Sequence, residues 1–276
     1  MTITTNPAPK IFFTDLDGTL LTKEKKITPA TLSAIEAWTD AGNKFVLCSG
    51  RAIESVKAVK ETSGLHFPGI YLVGYNGGEI YDCENDRVLS RIALTMAQTR
   101  LVIQTAKSQS IHCHTYTDTH IISPADDAEL HYYQKAIHTP AIICQDILPK
   151  LDKPPCKCIA IELNDKNRLE HFRETLQSLV GDELTLLYSN DRYLEIFPSS
   201  SGKGTAVTML CESLHIPLAR AFAAGDESND ISMLRTAGTG IAMKNAKPPV
   251  KEAADVITPE DNDHDGLAPV LTKYCS

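Results

Sequence analysis

The stretch Ile11-Phe12-Phe13-Thr14-Asp15-Leu16-Asp17-Gly18-Thr19 leaves a chain few ways to fold. Its three apolar residues read as a short buried strand. The strand runs straight into two carboxylates and a glycine, the signature of a tight exit loop at the carboxyl edge of a sheet. That edge is where open α/β sheets bind ligands. Two acids so close repel each other unless a cation sits between them. The economical reading is one Mg²⁺, with Asp15 free to use its other oxygen as a nucleophile. The alternative for the stretch taken alone is an acidic turn or an N-cap on the following helix.

The same grammar recurs. Residues 27–41 read as a helix with Thr28 as N-cap and Pro29 at its first position. Residues 44–48 form the next strand, which ends in Ser49-Gly50-Arg51 ahead of a helix over 52–62. A hydroxyl and free amides at such a junction make an anion site, or Ser49 simply caps the helix. A third strand, 70–74, turns sharply at Asn76-Gly77-Gly78 into paired strands near 79–81 and 87–89. Strand, helix, strand, helix, strand implies a parallel doubly wound sheet. Later, residues 221–225 make another small buried strand ending in Asp226-Glu227-Ser228-Asn229-Asp230. Lys203 stands at the entry of a helix over 205–214, where the dipole disfavours a cation, so it is either a solvated helix-end lysine or one with an anion or carboxylate nearby. The loop is not a P-loop, because G-x-x-x-x-G-K-[ST] is absent.

The segment between about 91 and 190 mixes helices and strands without acidic strand ends, and reads as an inserted second domain. The expected division is a core of residues 1–85 and 192–276 and an insert of residues 86–191. His112, His114, His120, His131 and His138 lie in the insert. His112 and His114 alternate onto one strand face, as solvent-facing or pocket-lining groups more readily than as metal ligands. Charge narrows the partners: 27 basic against 35 acidic side chains give a net −8, which opposes nucleic-acid binding. No apolar run reaches the ~18 residues of a membrane span, and residues 1–10 lack the apolar core of a signal peptide. Eight scattered cysteines without a C-x-x-C pair suit reduced thiols in the cytoplasm.

Taken together, Asp15-Leu16-Asp17-Gly18-Thr19-Leu20, Ser49-Gly50-Arg51, Tyr75-Asn76-Gly77-Gly78, Lys203-Gly204 and Gly225-Asp226-Glu227-Ser228-Asn229-Asp230 form an ordered set. The chain resembles the haloacid dehalogenase-like (HAD) hydrolase superfamily over nearly its whole length, in particular the Cof-type (subfamily IIB) sugar phosphatases. The resemblance implies a Rossmann-like α/β core with an inserted α/β cap of type C2B that selects the substrate. It implies hydrolysis of a small phosphorylated metabolite, with Asp15 as nucleophile forming an aspartyl-phosphate. Asp17 would be general acid, then base. Mg²⁺ would sit on the Asp15 carboxylate, the Asp17 backbone carbonyl and Asp226. Ser49 and Lys203 would bind phosphate, Asn229 would touch it, and the Gly50 amide and Asn76 would lie near it. Asp230 would orient Lys203. Ser199-Ser200-Ser201-Gly202 departs from the run that relatives often carry before the lysine, which affects only the loop's shape.

Such a set is what the reaction demands. Phosphate monoester hydrolysis needs its barrier lowered by roughly 20 to 28 kcal/mol. One acid–base residue supplies about 3 to 5. A nucleophile, a metal and charge clamps must act together. Two other readings use the same residues: a phosphosugar mutase of the same superfamily, and a non-catalytic phosphometabolite sensor. The span between Asp17 and Ser49 holds one helix, whereas the helical-capped sugar mutases insert their cap there.

Overall fold

Burial of the first strand sets the position of everything around it. The computed structural model describes residues 9–137 and 139–275. Residues 1–8 of the expected polar lead-in, and His138, fall outside that range. In chain order, β1 (Ile11–Asp15), α1 (Pro29–Asp40), β2 (Lys44–Cys48), α2 (Ile53–Thr62) and β3 (Ile70–Gly74) build the doubly wound half. A turn leads into β4 (Glu79–Asp82) and β5 (Arg87–Arg91). The insert follows: α3 (Met96–Ser108), β6 (His112–Tyr116), β7 (Ile121–Ser123), α4 (Ala128–Ile137), β8 (Ala141–Ile143), β9 (Cys158–Ile161), α5 (Lys166–Val180), β10 (Leu184–Asn190) and β11 (Tyr193–Pro198). The chain then completes the first sheet with α6 (Lys203–Ser213), β12 (Ala221–Gly225), α7 (Ile231–Thr236), β13 (Thr239–Ala242), α8 (Pro248–Glu252), β14 (Val256–Ile257) and α9 (Ala268–Cys275).

The core sheet has the order β14-β13-β12-β1-β2-β3-β4-β5. Pairing is parallel from β14 to β3 and antiparallel from β3 to β5. Ile11, Phe12 and Phe13 are fully buried. Phe12 stacks between Phe45 and Phe222, and Trp38 of α1 meets it edge-on. Burying one such side chain stabilises by roughly 1.5 to 3 kcal/mol. Several together hold the carboxyl end of β1 in place against the cost of the acids beyond it. Helix α1 starts as its sequence implies, with Thr28 Oγ1 accepting from the Thr31 amide and Pro29 in the first turn.

The cap is a six-stranded sheet of order β10-β11-β9-β6-β7-β8. Its boundaries correct the expected division at both ends. Strand β5 pairs antiparallel with β4 and belongs to the core sheet, so the core runs past residue 85 to Arg91. Strand β11 lies between β10 and β9 in the cap sheet, so the cap extends past residue 191 to Pro198. The reason is visible in β11's alternation. Leu194 and Ile196 join the cap's own apolar core with Leu169, Phe172 and Leu176 of α5, while Tyr193 and Glu195 turn to the other face. Helix α4 begins at Ala128 and is followed by the short strand β8.

The turn after β3 is a four-residue loop, residues 75–78, between the paired Gly74 and Glu79. Tyr75 and Asn76 take left-handed φ of 53° and 56°, and Gly77 takes 98°. A Cβ on Gly77 would lie 2.2 Å from the Gly202 carbonyl oxygen. Only glycine lets the turn press against the loop that delivers Lys203.

Candidate active site

The strand-end motifs converge at one cleft of about 270 Å³ between core and cap, lined by Asp15, Asp17, Ser49, Gly50, Arg51, Tyr133, Lys157, Tyr188, Glu195 and Asn229 among others. Strands β1, β2 and β12 lie side by side in register, so their carboxyl ends present Asp15, Ser49 and Asp226 along one edge. Gly18 permits the closest approach. With φ of 84°, a side chain there would be strained, and its Cβ would fall 2.4 Å from Asp226 Oδ2. The glycine of D-x-D-G-T is therefore required by a carboxylate 208 positions away in the sequence.

Lys203 is wholly buried at the start of α6 and donates to Asp15 Oδ1 and Asp230 Oδ1, each at 2.5 Å. The anions expected near a lysine at a helix entry are these two. Asp230 is tied down further, because its Oδ2 accepts from the amides of Asp226 and Glu227 at 3.0 Å. Carboxylate oxygens of Asp15, Asp226 and Asp230 come within 4.8 Å of one another. Thr19 Oγ1 donates to Asp226 Oδ1 at 2.9 Å.

Three acids against one lysine leave an excess of negative charge in a buried site. Burial, reinforced by Asp230 and Asp226, pushes the Asp15 carboxyl well above its usual range despite Lys203. Burial likewise raises Asp226 to about 7. Both shifts say that the ionised cluster lacks a counter-charge. A divalent cation fits this donor set, since every side-chain ligand is a hard oxygen. Asp230 has both oxygens engaged, so Asp15 and Asp226 are the better-placed side chains to hold it. The Asp17 carboxylate stands outside the cluster, and its expected contribution is the backbone carbonyl.

Asp17 belongs to a different arrangement. Arg51 grips it with two hydrogen bonds, Nε to Oδ2 at 3.0 Å and Nη2 to Oδ1 at 2.7 Å, and Lys25 Nζ adds a third at 2.6 Å. Burial alone would raise its pKa, but Arg51 and Lys25 outweigh it and hold the carboxyl below its usual range. Ser49 is buried in the cleft wall, and its Oγ accepts from the Arg51 amide at 3.2 Å. It does not cap α2, whose N-cap is Ala52. Asn229 Nδ2 donates to Asn76 Oδ1 at 3.2 Å, and Asn76 Nδ2 donates to Glu195 Oε2 at 2.8 Å. Gly50 lines the cleft and turns its carbonyl to the cap, where Lys157 Nζ donates to it at 2.6 Å.

Arg51's grip on Asp17, and the pair Lys157–Glu195 at 2.7 Å, are features that reading the motifs did not find. Lys157 is 1% exposed and Glu195 7%. The signal for Glu195 was its place between Leu194 and Ile196, an acid on the alternate face of a buried strand. Nothing local marks Lys157. His112 and His114 are buried and bond each other, with Nε2 and Nδ1 3.0 Å apart, away from the acid cluster. His120 is half-buried and bonds Thr119, while exposed His131 bonds Asp126.

Comparison with known proteins places this site in context. The sequence profile of the haloacid dehalogenase-like hydrolases matches residues 12–271. The 5-amino-6-(5-phospho-D-ribitylamino)uracil phosphatase of Bacillus subtilis is 30% identical over 292 aligned positions, covering 95% of this chain and 96% of that protein. The pyridoxal phosphate phosphatase of Escherichia coli is 26% identical, covering 96% and 98%. Among solved structures, a haloacid dehalogenase-like hydrolase from Bacteroides thetaiotaomicron superposes with a TM-score of 0.87 at 27% identity, covering 96% of this chain and 99% of that one. Sequence profile, fold and inserted cap agree, and the chain belongs to the haloacid dehalogenase-like hydrolases.

Proposed function

We propose that this protein is a Mg²⁺-dependent phosphatase that hydrolyses a small phosphorylated metabolite, a sugar phosphate or related ester, through an aspartyl-phosphate on Asp15. The observation that carries the reading is Lys203, a single buried cation held by Asp15 and Asp230 beside Asp226. A site built this way is costly unless it receives a cation and an anion together, and a metal ion with a phosphate ester supplies both. Relatives named as phosphatases of a ribityl phosphate compound and of pyridoxal phosphate support the substrate class. Eight free thiols among the described residues support a cytoplasmic setting.

In this reading the ester's phosphate lies in the cleft against Lys203, Ser49, the Gly50 amide and Asn229. Bound Mg²⁺, on Asp15, Asp226 and the Asp17 carbonyl, supplies charge neutralisation that lets two anions meet. Asp15 attacks phosphorus as the bond to the leaving oxygen breaks. Asp17 gives that oxygen a proton, then takes one from the water that cleaves the aspartyl-phosphate. The grip of Arg51 and Lys25 suits Asp17 to the second role. The first requires a protonated carboxyl, so Asp17 must take a proton from solvent before the ester bond breaks. Asp230 holds Lys203 in place throughout.

The test is hydrolysis of p-nitrophenyl phosphate. Activity is expected with Mg²⁺, none in EDTA, and recovery when Mg²⁺ is returned. Equal rates in EDTA would remove the metal from the scheme, and no phosphate release under any condition would overturn it.

Metal affinity should also follow pH. An Asp226 carboxyl near 7 must lose its proton before it can ligate. Each proton released makes apparent affinity about tenfold weaker per pH unit below that value. The sign for stability is opposite. In the folded protein without metal the carboxyl binds its proton more tightly than its ordinary 3.8. Its contribution to stability therefore falls as pH rises from about 4 to 7. The Mg²⁺-induced rise in Tm should accordingly be larger at pH 8 than at pH 6. Equal rises in thermal-shift measurements at the two values would exclude Asp226 as a ligand.

A further inference from the structure

A line of hydrogen-bonding groups crosses the cap from its outer side to the cleft. Asp127, ahead of α4, lies with its Oδ2 2.8 Å from His112 Nδ1. His112 Nε2 is 3.0 Å from His114 Nδ1, and His114 Nε2 is 3.4 Å from the Tyr116 hydroxyl. The Tyr116 and Tyr133 hydroxyl oxygens are 2.5 Å apart. His112, His114 and Tyr116 are alternate residues of β6, so one strand face carries all three. His114 is fully buried, and Tyr116 and Tyr133 nearly so. One end opens at a second cavity lined by His112 and Asp127. At the other, Tyr133 lines the cleft that holds Asp15, Asp17 and Glu195.

Proton counting allows this line only two orders. A carboxylate accepts, so His112 Nδ1 donates to Asp127. Burial, with His112 and Lys157 adding to it, holds His114 far below its usual range, so it carries one proton. A neutral imidazole with both nitrogens engaged has one donor and one acceptor, and it passes direction along the line. If His112 carries a proton on each nitrogen and donates to His114 as well as to Asp127, every later bond points to the cleft, and Tyr133 offers a free O–H. If His114 donates to His112, every later bond points back, and Tyr133 offers only a lone pair. Either way one hydrogen-bonding valence of Tyr133 is left over.

We propose that the Tyr133 hydroxyl binds a hydroxyl group on the leaving group of the phosphate ester, and that the Asp127–His112–His114–Tyr116 line sets the direction of its proton. Tyr133 is then a specificity-determining residue and the other four are positioning residues. The ligand class follows from the chemistry. An alcohol hydroxyl both donates and accepts, so it can pair with Tyr133, and reversing the proton order along the line swaps donor for acceptor at that contact and weakens it. A bare alkyl chain would leave the remaining valence of the Tyr133 hydroxyl unmet, which costs binding at a buried polar group. Neighbouring Glu195 and Lys157 add to a polar wall suited to a polyol. This inference rests on the phosphatase reading above.

The experiment measures kcat and KM, with Mg²⁺, for D-ribitol 5-phosphate and n-pentyl phosphate, esters of equal carbon number with and without hydroxyls. p-Nitrophenyl phosphate serves as a third substrate. Wild-type protein should prefer the ribitol ester. In Tyr133→Phe the kcat/KM ratio of ribitol to pentyl ester should fall roughly tenfold, the worth of one hydrogen bond at a buried site. Asp127→Asn retains an oxygen that can accept from the Leu130 amide, as Asp127 Oδ1 does at 2.9 Å. It should lower the same ratio through KM rather than kcat, at an unaltered Tm. A ratio unmoved in Tyr133→Phe overturns the contact, and one moved there but not in Asp127→Asn overturns the line behind it. Wild-type activity on p-nitrophenyl phosphate with none on either other ester overturns the inference alone. Inertness toward all three substrates overturns the phosphatase reading on which it stands.

Discussion

Replacing Asp15 by Asn should abolish turnover while leaving the fold as stable as before, or more so. Asn keeps the shape of the side chain and an oxygen to accept from Lys203, now held at 2.5 Å. It cannot form an acyl phosphate. Losing a covalent nucleophile whose partners act as a unit costs about 10⁴-fold or more in kcat. Stability moves the other way, because burial disfavours the ionised carboxyl so strongly. A neutral amide removes one of three acids crowded around a single lysine. Sites that carry such strain commonly gain stability when their function is removed. The check pairs single-turnover phosphate release with thermal unfolding in the absence of Mg²⁺. Release at the wild-type rate would show that Asp15 is not the nucleophile. A large drop in Tm would show that its charge is structural.

The parts of this site that were legible in the chain are those whose meaning is local. An apolar strand running into Asp15 and Asp17, and another running into Asp226, can be seen within ten residues. Lys203 was legible for a different reason: a cation at a helix entry needs anions, and Asp15 and Asp230 are there. Gly18 could be recognised as part of a turn, but its reason, the Asp226 carboxylate against the missing Cβ, is a tertiary contact. The same holds for Arg51. The S-G-R motif marks a strand end, yet only the fold turns its guanidinium to Asp17 rather than to solvent.

Where the reading failed, the cause was a pattern with two meanings. Tyr193–Pro198 is an alternating apolar strand that suits a return to the core as well as a place in the cap. Its pairing with β9 and β10 decides for the cap. Strand β8 is three residues long and half-exposed, too weak a pattern to register. His112 and His114 were visible as a pair on one strand face, but Asp127, which bonds His112, and Tyr133, whose ring packs on His114, come from a later loop and helix. Roles that depend on such long-range contacts belong to the three-dimensional fold, and most of the cap's contribution to the cleft is of that kind.

Replacing Lys203 by Met should harm stability and activity together, in contrast to Asp15→Asn. Among the described residues Lys203 is the one cation hydrogen-bonded to Asp15 and Asp230, and it is fully buried. Met matches its length without the charge. Breaking a buried pair by removing one partner costs about 3 to 5 kcal/mol, because the remaining charges are left uncompensated. Here two carboxylates lose their partner at once, with Asp226 still beside them. The deficit should shrink when Mg²⁺ is added, since a second source of positive charge enters the same cluster, and at lower pH, where Asp15 and Asp226 take up protons. Activity should not return under either condition, because neither places a cation where Lys203 meets Asp15 and the phosphate. Denaturant unfolding at pH 6 and pH 8, with and without Mg²⁺, measures the first effect, and phosphate release measures the second. A variant as stable as wild type without metal would mean that the acids are already protonated in the resting protein. In that case the lysine would matter only once substrate and metal arrive.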